Sequence, residues 1–176
     1  MVRAYALVLL ALRTGMRTKE IRFAEIDDLD IGSRLWMMNV IHVKGEDTYG
    51  EARTVPVHPD VYPIMEKYLK LRKEWLVAND LRSRALFPSI NDTDGFLSGN
   101  RIRMIKKVVE DDIGVEFQLR TCRRTYGQLL CDDDVDIESV SVSMGHHSTK
   151  TTEGYYCRKN EKKAIKSITE AWEGGL

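Results

Sequence analysis

Apolar positions repeat with helical spacing over most of this chain. Residues 2–13 form an almost continuous apolar run, which predicts a buried helix, and residues 18–23 continue helically beyond Gly15. A further helix, capped by Asp60, is predicted from the apolar positions between Met65 and Leu76. The same periodicity predicts helices over 100–113, 120–131, 137–144 and 161–172.

Two short segments have a different pattern. Residues 35–43 and 52–57 are rich in β-branched and large apolar side chains, and the polar run GEDTYGE separates them. This arrangement predicts two antiparallel strands joined as a hairpin. The expected fold class is therefore mainly α with a small antiparallel β-sheet.

Composition limits the possible classes of protein. A chain of 176 residues with 43% apolar residues and no linker-like stretch predicts a single domain. Lysine plus arginine (27) equals aspartate plus glutamate (27). That balance excludes a uniformly basic nucleic-acid coat, but it leaves room for a local basic pocket.

Other features indicate a cytoplasmic protein that does not enter a membrane. The apolar run 4–12 is far shorter than the ~20 residues that a membrane span needs, and no signal-cleavage pattern follows it. Three cysteines without a CxxC pair make a disulfide framework or a cysteine zinc site improbable. The abrupt helical start predicts a piece of a longer protein.

The predicted helix 120–131 carries the first candidate chemistry. Helical geometry places arginines on one side, with Gly127 beside them, and apolar residues on the other. The arginines are Arg120, Arg123 and Arg124; the apolar residues are Leu119, Cys122, Tyr126, Leu129 and Leu130. Such a face is ordinarily solvated and paired with acids, but residues 120–130 contain none. This absence favours an anion site, and phosphate suits arginine best.

Two other segments carry signals that are weak alone. Arg17 and Glu20 have helical i,i+3 spacing, which fits either a surface ion pair or a carboxylate that orients the arginine. In GHHSTKTTEGYYCR, His146 follows a predicted helix end, where it would complement the helix dipole. The adjacent Tyr155 and Tyr156 cannot both face one pocket, because neighbouring helical residues point ~100° apart.

Taken together, these residues resemble the catalytic set of the tyrosine recombinase (phage integrase) family. The matching positions are Arg17 in TGMRTKEI, Lys44 in VKGEDTYGEARTVPV, Arg123 in RTCRRTYGQLL, His146 in MGHHSTKTT and Tyr155 in TTEGYY. His146 follows Arg123 by 23 residues and Tyr155 follows His146 by 9, both typical of that family. The resemblance extends over about residues 13–158.

The resemblance implies the catalytic-domain fold of DNA breaking-rejoining enzymes and a defined chemistry. DNA strands would be cleaved and rejoined through a 3′-phosphotyrosyl intermediate, without ATP, a metal or another cofactor. Arg17 and Arg123 would clamp the phosphate and Lys44 would be the general acid. His146 would hold the phosphate or the proton network, and Tyr155, rather than Tyr156, would be the nucleophile.

The chain departs from the family pattern at two places. Arg120 stands three residues before Arg123, where the family usually has histidine, and arginine is a poor general base because it stays charged. We therefore expect Arg120, with Arg124, to bind DNA phosphates, and Glu20 to support Arg17. The segment after Lys44 is also longer than the family's short hairpin, so a solvated hairpin lysine is the alternative there.

The resemblance also implies partners and assembly. Residues 1–176 would form one catalytic domain without the family's N-terminal DNA-gripping bundle. The protein would be a monomer when free and a tetramer on double-stranded DNA in the nucleoid, where helix 161–176 is exchanged between protomers or, alternatively, packs within its own chain. A prophage or mobile-element integrase is the commonest expectation.

Three other functions are alternatives to strand recombination. An inactive DNA-binding relic would share the fold, and a type IB topoisomerase would share the chemistry. A metal-dependent hydrolase based on His146 and His147 has little support, because adjacent residues point apart and no HExxH motif accompanies them.

Overall fold

The computed structural model describes residues 1–41, 52–90, 92, 94–146, 149, 168–170 and 172. The helices are α1 Val2–Thr14, α2 Thr18–Phe23, α3 Tyr62–Ala78, α4 Gly99–Ile113, α5 Leu119–Asp132 and α6 Ile137–Met144. The strands are β1 Leu29–Asp30, β2 Met37–Val40 and β3 Arg53–Pro56. The predicted fold class, mainly α with a small antiparallel sheet, is confirmed.

Helix α1 lies at the centre of the fold because its apolar residues face several neighbours. Ala6, Leu7, Leu10 and Ala11 have no solvent exposure, and α1 contacts α3, α4 and α5. The helix ends at Gly15, whose φ of 64° is left-handed. The predicted buried helix is therefore confirmed, and its end carries the chain directly to Arg17.

The sheet has the order β1-β2-β3 and is antiparallel throughout. The predicted pairing of the two apolar segments is confirmed by β2 and β3, where Met38 lies opposite Val55 and Val40 opposite Arg53. The segment between them, 42–51, lies outside the described residues. Strand β1 was missed because two residues are too few to show alternation.

The start of α3 differs from the prediction. A 3₁₀ turn, Pro59–Val61, precedes the helix, so Asp60 lies in that turn and does not cap α3. Its carboxylate instead forms an ion pair with Arg13 at the end of α1. Asp60 correctly indicated that a helix begins nearby, but Pro59 favours a separate 3₁₀ turn ahead of that helix.

Helix α5 packs against both α1 and α6. Leu119 and Cys122 belong to the main core, whereas Tyr126 packs with Val140 and Met144 of α6 in a second cluster. At ~100° per residue these three positions of α5 share one face. Arg123 and Gly127, which are also buried, widen that face on one side.

Among the described residues, no helix combines the length and the apolar character needed to cross a membrane.

The predicted tail helix is described only in part: residues 168–170 and 172 are helical. Its apolar residues Ile168 and Trp172 are exposed there, by 48% and 72%.

Candidate active site

Three arginines meet at the carboxyl end of α6. Arg53 Nε donates to the carbonyl of Ser143 at 2.8 Å, Arg123 Nη2 to that of Met144, and Arg17 Nη2 to that of Gly145 at 3.0 Å. The last carbonyls of a helix lack partners within the helix and carry its negative dipole end. The end of α6 therefore seats three cations that would otherwise repel one another.

Glu20 is the acidic counterpart of this cluster. Its carboxylate, 1% exposed, accepts from Arg17 Nη1 at 2.8 Å and from the Arg17 backbone N–H at 2.7 Å. It also accepts from the two terminal nitrogens of Arg53, at 3.1 and 3.0 Å. Burial raises the pKa of Glu20, but the bonds from Arg53 and then Arg17 outweigh burial and hold that pKa below its usual value.

This geometry decides between the two interpretations of the Arg17–Glu20 pair. A surface ion pair would leave the carboxylate solvated, whereas Glu20 is buried and bonded to both the side chain and the backbone of Arg17. Glu20 thus orients Arg17 at the start of α2.

Arg123 does not lie where the helical pattern placed it. It was expected on a shared outer face with Arg120 and Arg124, but it is 6% exposed and Gly127 beside it is also buried. Its Nη1 donates to the carbonyl of Gly15 at 2.6 Å, so one guanidinium joins the ends of α1 and α6. At ~100° per residue Arg123 lies ~40° from Leu119 and ~60° from Tyr126, at the margin of the buried face of α5. Contacts of α5 with α1 and α6 cover that margin.

His146 follows the end of α6 and contacts Arg123. Its Nε2 lies 3.0 Å from Arg123 Nη2. Because arginine can only donate, Nε2 must accept, which requires a neutral ring protonated on Nδ1. Burial, followed by the charges of Arg123, Arg17 and Arg53, lowers the pKa of His146 to about 4.

We expect this neutral histidine to make the protein acid-sensitive. Its pKa drops from 6.5 to about 4 on folding, so at intermediate pH the unfolded chain binds a proton that the folded chain does not. Stability from this group is complete above the unfolded pKa and is lost as the pH falls through that window. Urea unfolding at several pH values should show the loss, and His146→Gln should reduce it. A ring titration by NMR with a midpoint near 6.5 would contradict the neutral assignment.

A cavity of about 350 Å³ lies beside the cluster. Four of its lining residues are cations, Arg17, Lys19, Arg120 and Arg123, and the others are Met16, Thr18 and Leu119. Its described lining contains no carboxylate. A second cavity, of about 290 Å³, shares no residue with the first and is mainly apolar, with two cations in its lining: Arg3, Tyr68, Leu71, Arg72, Trp75 and Pro88. With four cations against two, the first cavity is the better suited to an anion.

The structure places the predicted site residues differently. Arg17 is bonded to Glu20 and Arg123 lies beside His146, and the two pairs meet at the carbonyls that end α6. Arg120 lines the adjoining cavity. Arg124 is exposed on α5 and is not part of the described lining. Lys44 and Tyr155 lie outside the described residues. Within the described part of the chain, no group of three or more His, Cys, Asp or Glu side chains is placed to hold a metal ion.

Sequence reasoning missed Arg53. A signal was available: in a strand, alternate residues share a face, so Arg53 lies on the face of Val55 and Val57. Both valines are completely buried, and the Arg53 side chain is 6% exposed. An arginine in phase with core valines predicts a buried cation, which requires a buried anion such as Glu20.

Comparisons with known proteins show what this chain is similar to. The family model described as "Phage integrase family" matches residues 1–163. Tyrosine recombinase XerC of Thermodesulfovibrio yellowstonii is 26% identical over 155 residues, which cover 87% of this chain and 49% of the relative. The chain spans about half the length of the curated relatives it matches.

Solved structures show the same fold. The XerA recombinase matches with a TM-score of 0.72 and 22% identity, covering 97% of this chain and 56% of the other. The post-cleavage complex of the XerH site-specific recombinase with its palindromic difH substrate matches with a TM-score of 0.71 and 19% identity. That match covers 98% of this chain and 46% of the other.

Proposed function

The chain belongs to the phage integrase family, and from that premise we propose that it cleaves and rejoins DNA strands as a site-specific recombinase. The relatives it matches are tyrosine recombinases. The observation that carries the proposal is the cavity beside the arginine cluster. Four cations line it without a carboxylate in its described lining, which suits the charge of a phosphodiester.

In the proposed first step, Tyr155 releases its phenolic proton to solvent and the resulting phenolate oxygen, favoured by the nearby cations, attacks the phosphorus of a DNA phosphodiester. A phosphotyrosyl bond forms at the 3′ side, the bond to the 5′ oxygen breaks, and Lys44 gives that oxygen a proton. Arginine could not supply this proton because it stays charged, whereas lysine can lose one. Rejoining reverses the step with a 5′-hydroxyl as nucleophile. One phosphoester replaces another, so the exchange needs no ATP.

Arg17 and Arg123 are the proposed phosphate clamp. Negative charge builds on the non-bridging oxygens as the tyrosine attacks, so cations fixed beforehand stabilise the transition state. Both guanidiniums are held by helix-end carbonyls, and Arg17 also by Glu20. His146 is neutral beside Arg123, so it would act as a hydrogen-bonding member of the proton network.

The other basic residues are assigned to DNA phosphates. Arg120 lines the cavity where the family usually has histidine, and its permanent charge suits a phosphate contact rather than proton transfer. Arg124 is exposed on the same helix and would contact a phosphate outside the cavity.

We also propose the assembly. Residues 1–176 would act as one catalytic domain, monomeric when free and tetrameric on double-stranded DNA of the nucleoid or of a mobile element. Exposed Ile168 and Trp172 would be covered when helix 161–176 docks on a neighbouring protomer, because an exposed apolar stripe favours association.

Covalent trapping tests the proposed reaction. The protein is mixed at low salt with supercoiled plasmid and with a nicked duplex library of random sequence, and the reaction is stopped with denaturant. We expect a protein–DNA adduct that mass spectrometry maps to Tyr155. Tyr155→Phe should abolish the adduct, because only the hydroxyl oxygen differs, and Tyr156→Phe should keep it.

Other outcomes have distinct meanings. An adduct on Tyr156 would move the nucleophile by one position. The absence of any adduct would favour an inactive DNA-binding relic. Relaxation of supercoils without a preferred sequence in the library would favour topoisomerase activity.

A further inference from the structure

Arg53 is a buried cation that the proposed reaction does not use. It is the first residue of β3, and its side chain is 6% exposed. It is not among the residues that line the cationic cavity. Arginine is almost never buried unless it is paired, so its partners indicate its role.

The partners of Arg53 lie on two different helices. Its terminal nitrogens bind both carboxylate oxygens of Glu20 in α2, at 3.1 and 3.0 Å, in the planar fork that arginine forms best. Its Nε binds the carbonyl of Ser143 in the last turn of α6, at 2.8 Å. One side chain therefore joins β3, α2 and α6.

Each of these partners is connected to Arg17, which is proposed to bind the phosphate. Glu20 holds Arg17 through its side chain at 2.8 Å and its backbone N–H at 2.7 Å. Ser143 lies two residues before Gly145, whose carbonyl holds Arg17 from the other side. The same helix end leads into His146. Arg53 thus fixes both supports of Arg17.

Close packing makes this arrangement specific. A Cβ added at Gly145 would lie 3.0 to 3.2 Å from Arg53 Nη1, Cδ and Cζ. The guanidinium therefore lies against the backbone at the α6 terminus. Lysine carries the same charge, but a single ammonium cannot form the carboxylate fork and also reach Ser143 with a second nitrogen.

The strand register adds a third connection. Arg53 pairs with Val40 of β2, and these two residues flank the chain that carries Lys44. A residue that fixes the end of β3 to α2 and α6 also fixes where that chain leaves and re-enters the sheet.

We propose that Arg53 is a positioning residue, which sets Arg17 and the His146 end of α6 in catalytic register through Glu20 and Ser143. This inference rests on the proposed function, because positioning matters only if a phosphate is cleaved there. A shift of about 1 Å in a positioned group can cost about a hundredfold in rate.

The test compares Arg53→Met with a matched arginine elsewhere. Arg72 also donates to several backbone carbonyls, those of Ser83, Ala85 and Leu86, but it lies apart from the arginine cluster. At a temperature where both variants are folded, we expect Arg53→Met to cut covalent adduct formation about a hundredfold. Binding of the same duplex library should change less than about twofold. Arg72→Met should cleave like the unaltered protein.

Two spectroscopic readouts separate positioning from simple stabilisation. The Arg17 guanidinium N–H signals should exchange faster with solvent in Arg53→Met. The charges of Arg123, Arg17 and Arg53 all lower the pKa of His146. Removing the Arg53 charge should therefore raise that pKa, so the ring should titrate at higher pH. Arg53→Lys should restore the His146 titration but not the cleavage rate.

Normal cleavage by folded Arg53→Met, unchanged Arg17 signals or an equal loss in Arg72→Met would overturn the inference. If the unaltered protein forms no adduct, the proposed function fails, and the Arg17 exchange and His146 titration still decide whether Arg53 positions these groups.

Discussion

Arg123→Gln is expected to lower the rate of covalent adduct formation about a thousandfold, the usual order for removal of one fixed donor to a developing anion. The guanidinium is buried and fixed by the carbonyls of Gly15 and Met144. Such a group needs no reorganisation when charge builds on the phosphate. Single-turnover cleavage at saturating protein measures the chemical step separately from DNA binding.

Two further variants identify the cause of that loss. Arg123→Lys keeps a charge but not the fork that spans two helix ends, so we expect it to recover only a small part of the rate. Arg124→Gln removes the neighbouring exposed charge on α5. It should weaken binding and reduce the salt slope by about one, while cleavage at saturation stays within a few-fold. Equal losses of cleavage in Arg123→Gln and Arg124→Gln would refute the distinction between clamp and peripheral contact.

The sequence predicted helix boundaries well where local residues alone decide where a helix begins and ends. The helix predicted over 137–144, for example, is α6 with the same bounds; in the structure the Asp136 side chain caps its start and Gly145, with a left-handed φ, ends it. The placement of Arg123 on the outer face was wrong because its angular position was assigned to the arginines: at ~100° per residue Arg123 is nearer to Leu119 and Tyr126 than to Arg124. Its partners, the carbonyls of Gly15 and Met144, are known only from the tertiary arrangement.

The sequence also predicted some of the site residues and missed others. The family spacing identified Arg17, Arg123 and His146 together, and the structure places them in contact through the end of α6. Arg53 could have been recognised by its phase with Val55 and Val57, but its pairing with Glu20 joins residues 33 apart in sequence. Such long-range pairings leave no local pattern.

Gly15→Ala is expected to destabilise the protein by about 3 kcal/mol, from left-handed strain of about 1 kcal/mol and overpacking of about 2 kcal/mol. Gly15 has φ of 64°, and an added Cβ would lie 2.3 Å from Cδ1 of Tyr126. That ring belongs to a buried cluster with Val140 and Met144, so it has little room to move. Urea unfolding gives the difference in free energy.

Gly114→Ala is the matched control. Gly114 also follows a helix with φ of 68°, but nothing lies within 4 Å of the added Cβ. It should therefore show the left-handed strain alone, about 1 kcal/mol. Equal losses at the two glycines would mean that contact with Tyr126 costs nothing.

The same substitution at Gly15 should also impair the proposed reaction. Tyr126 contacts Ser143 through its hydroxyl at 2.6 Å, and the Gly15 carbonyl itself holds Arg123. A displaced ring would shift the α6 end that seats Arg17, Arg53 and Arg123. Gly15→Ala should thus slow cleavage even at temperatures where it is fully folded, whereas Gly114→Ala should not. Combining Gly15→Ala with Tyr126→Leu should cost less than the sum of the single changes, because the residues in contact are coupled.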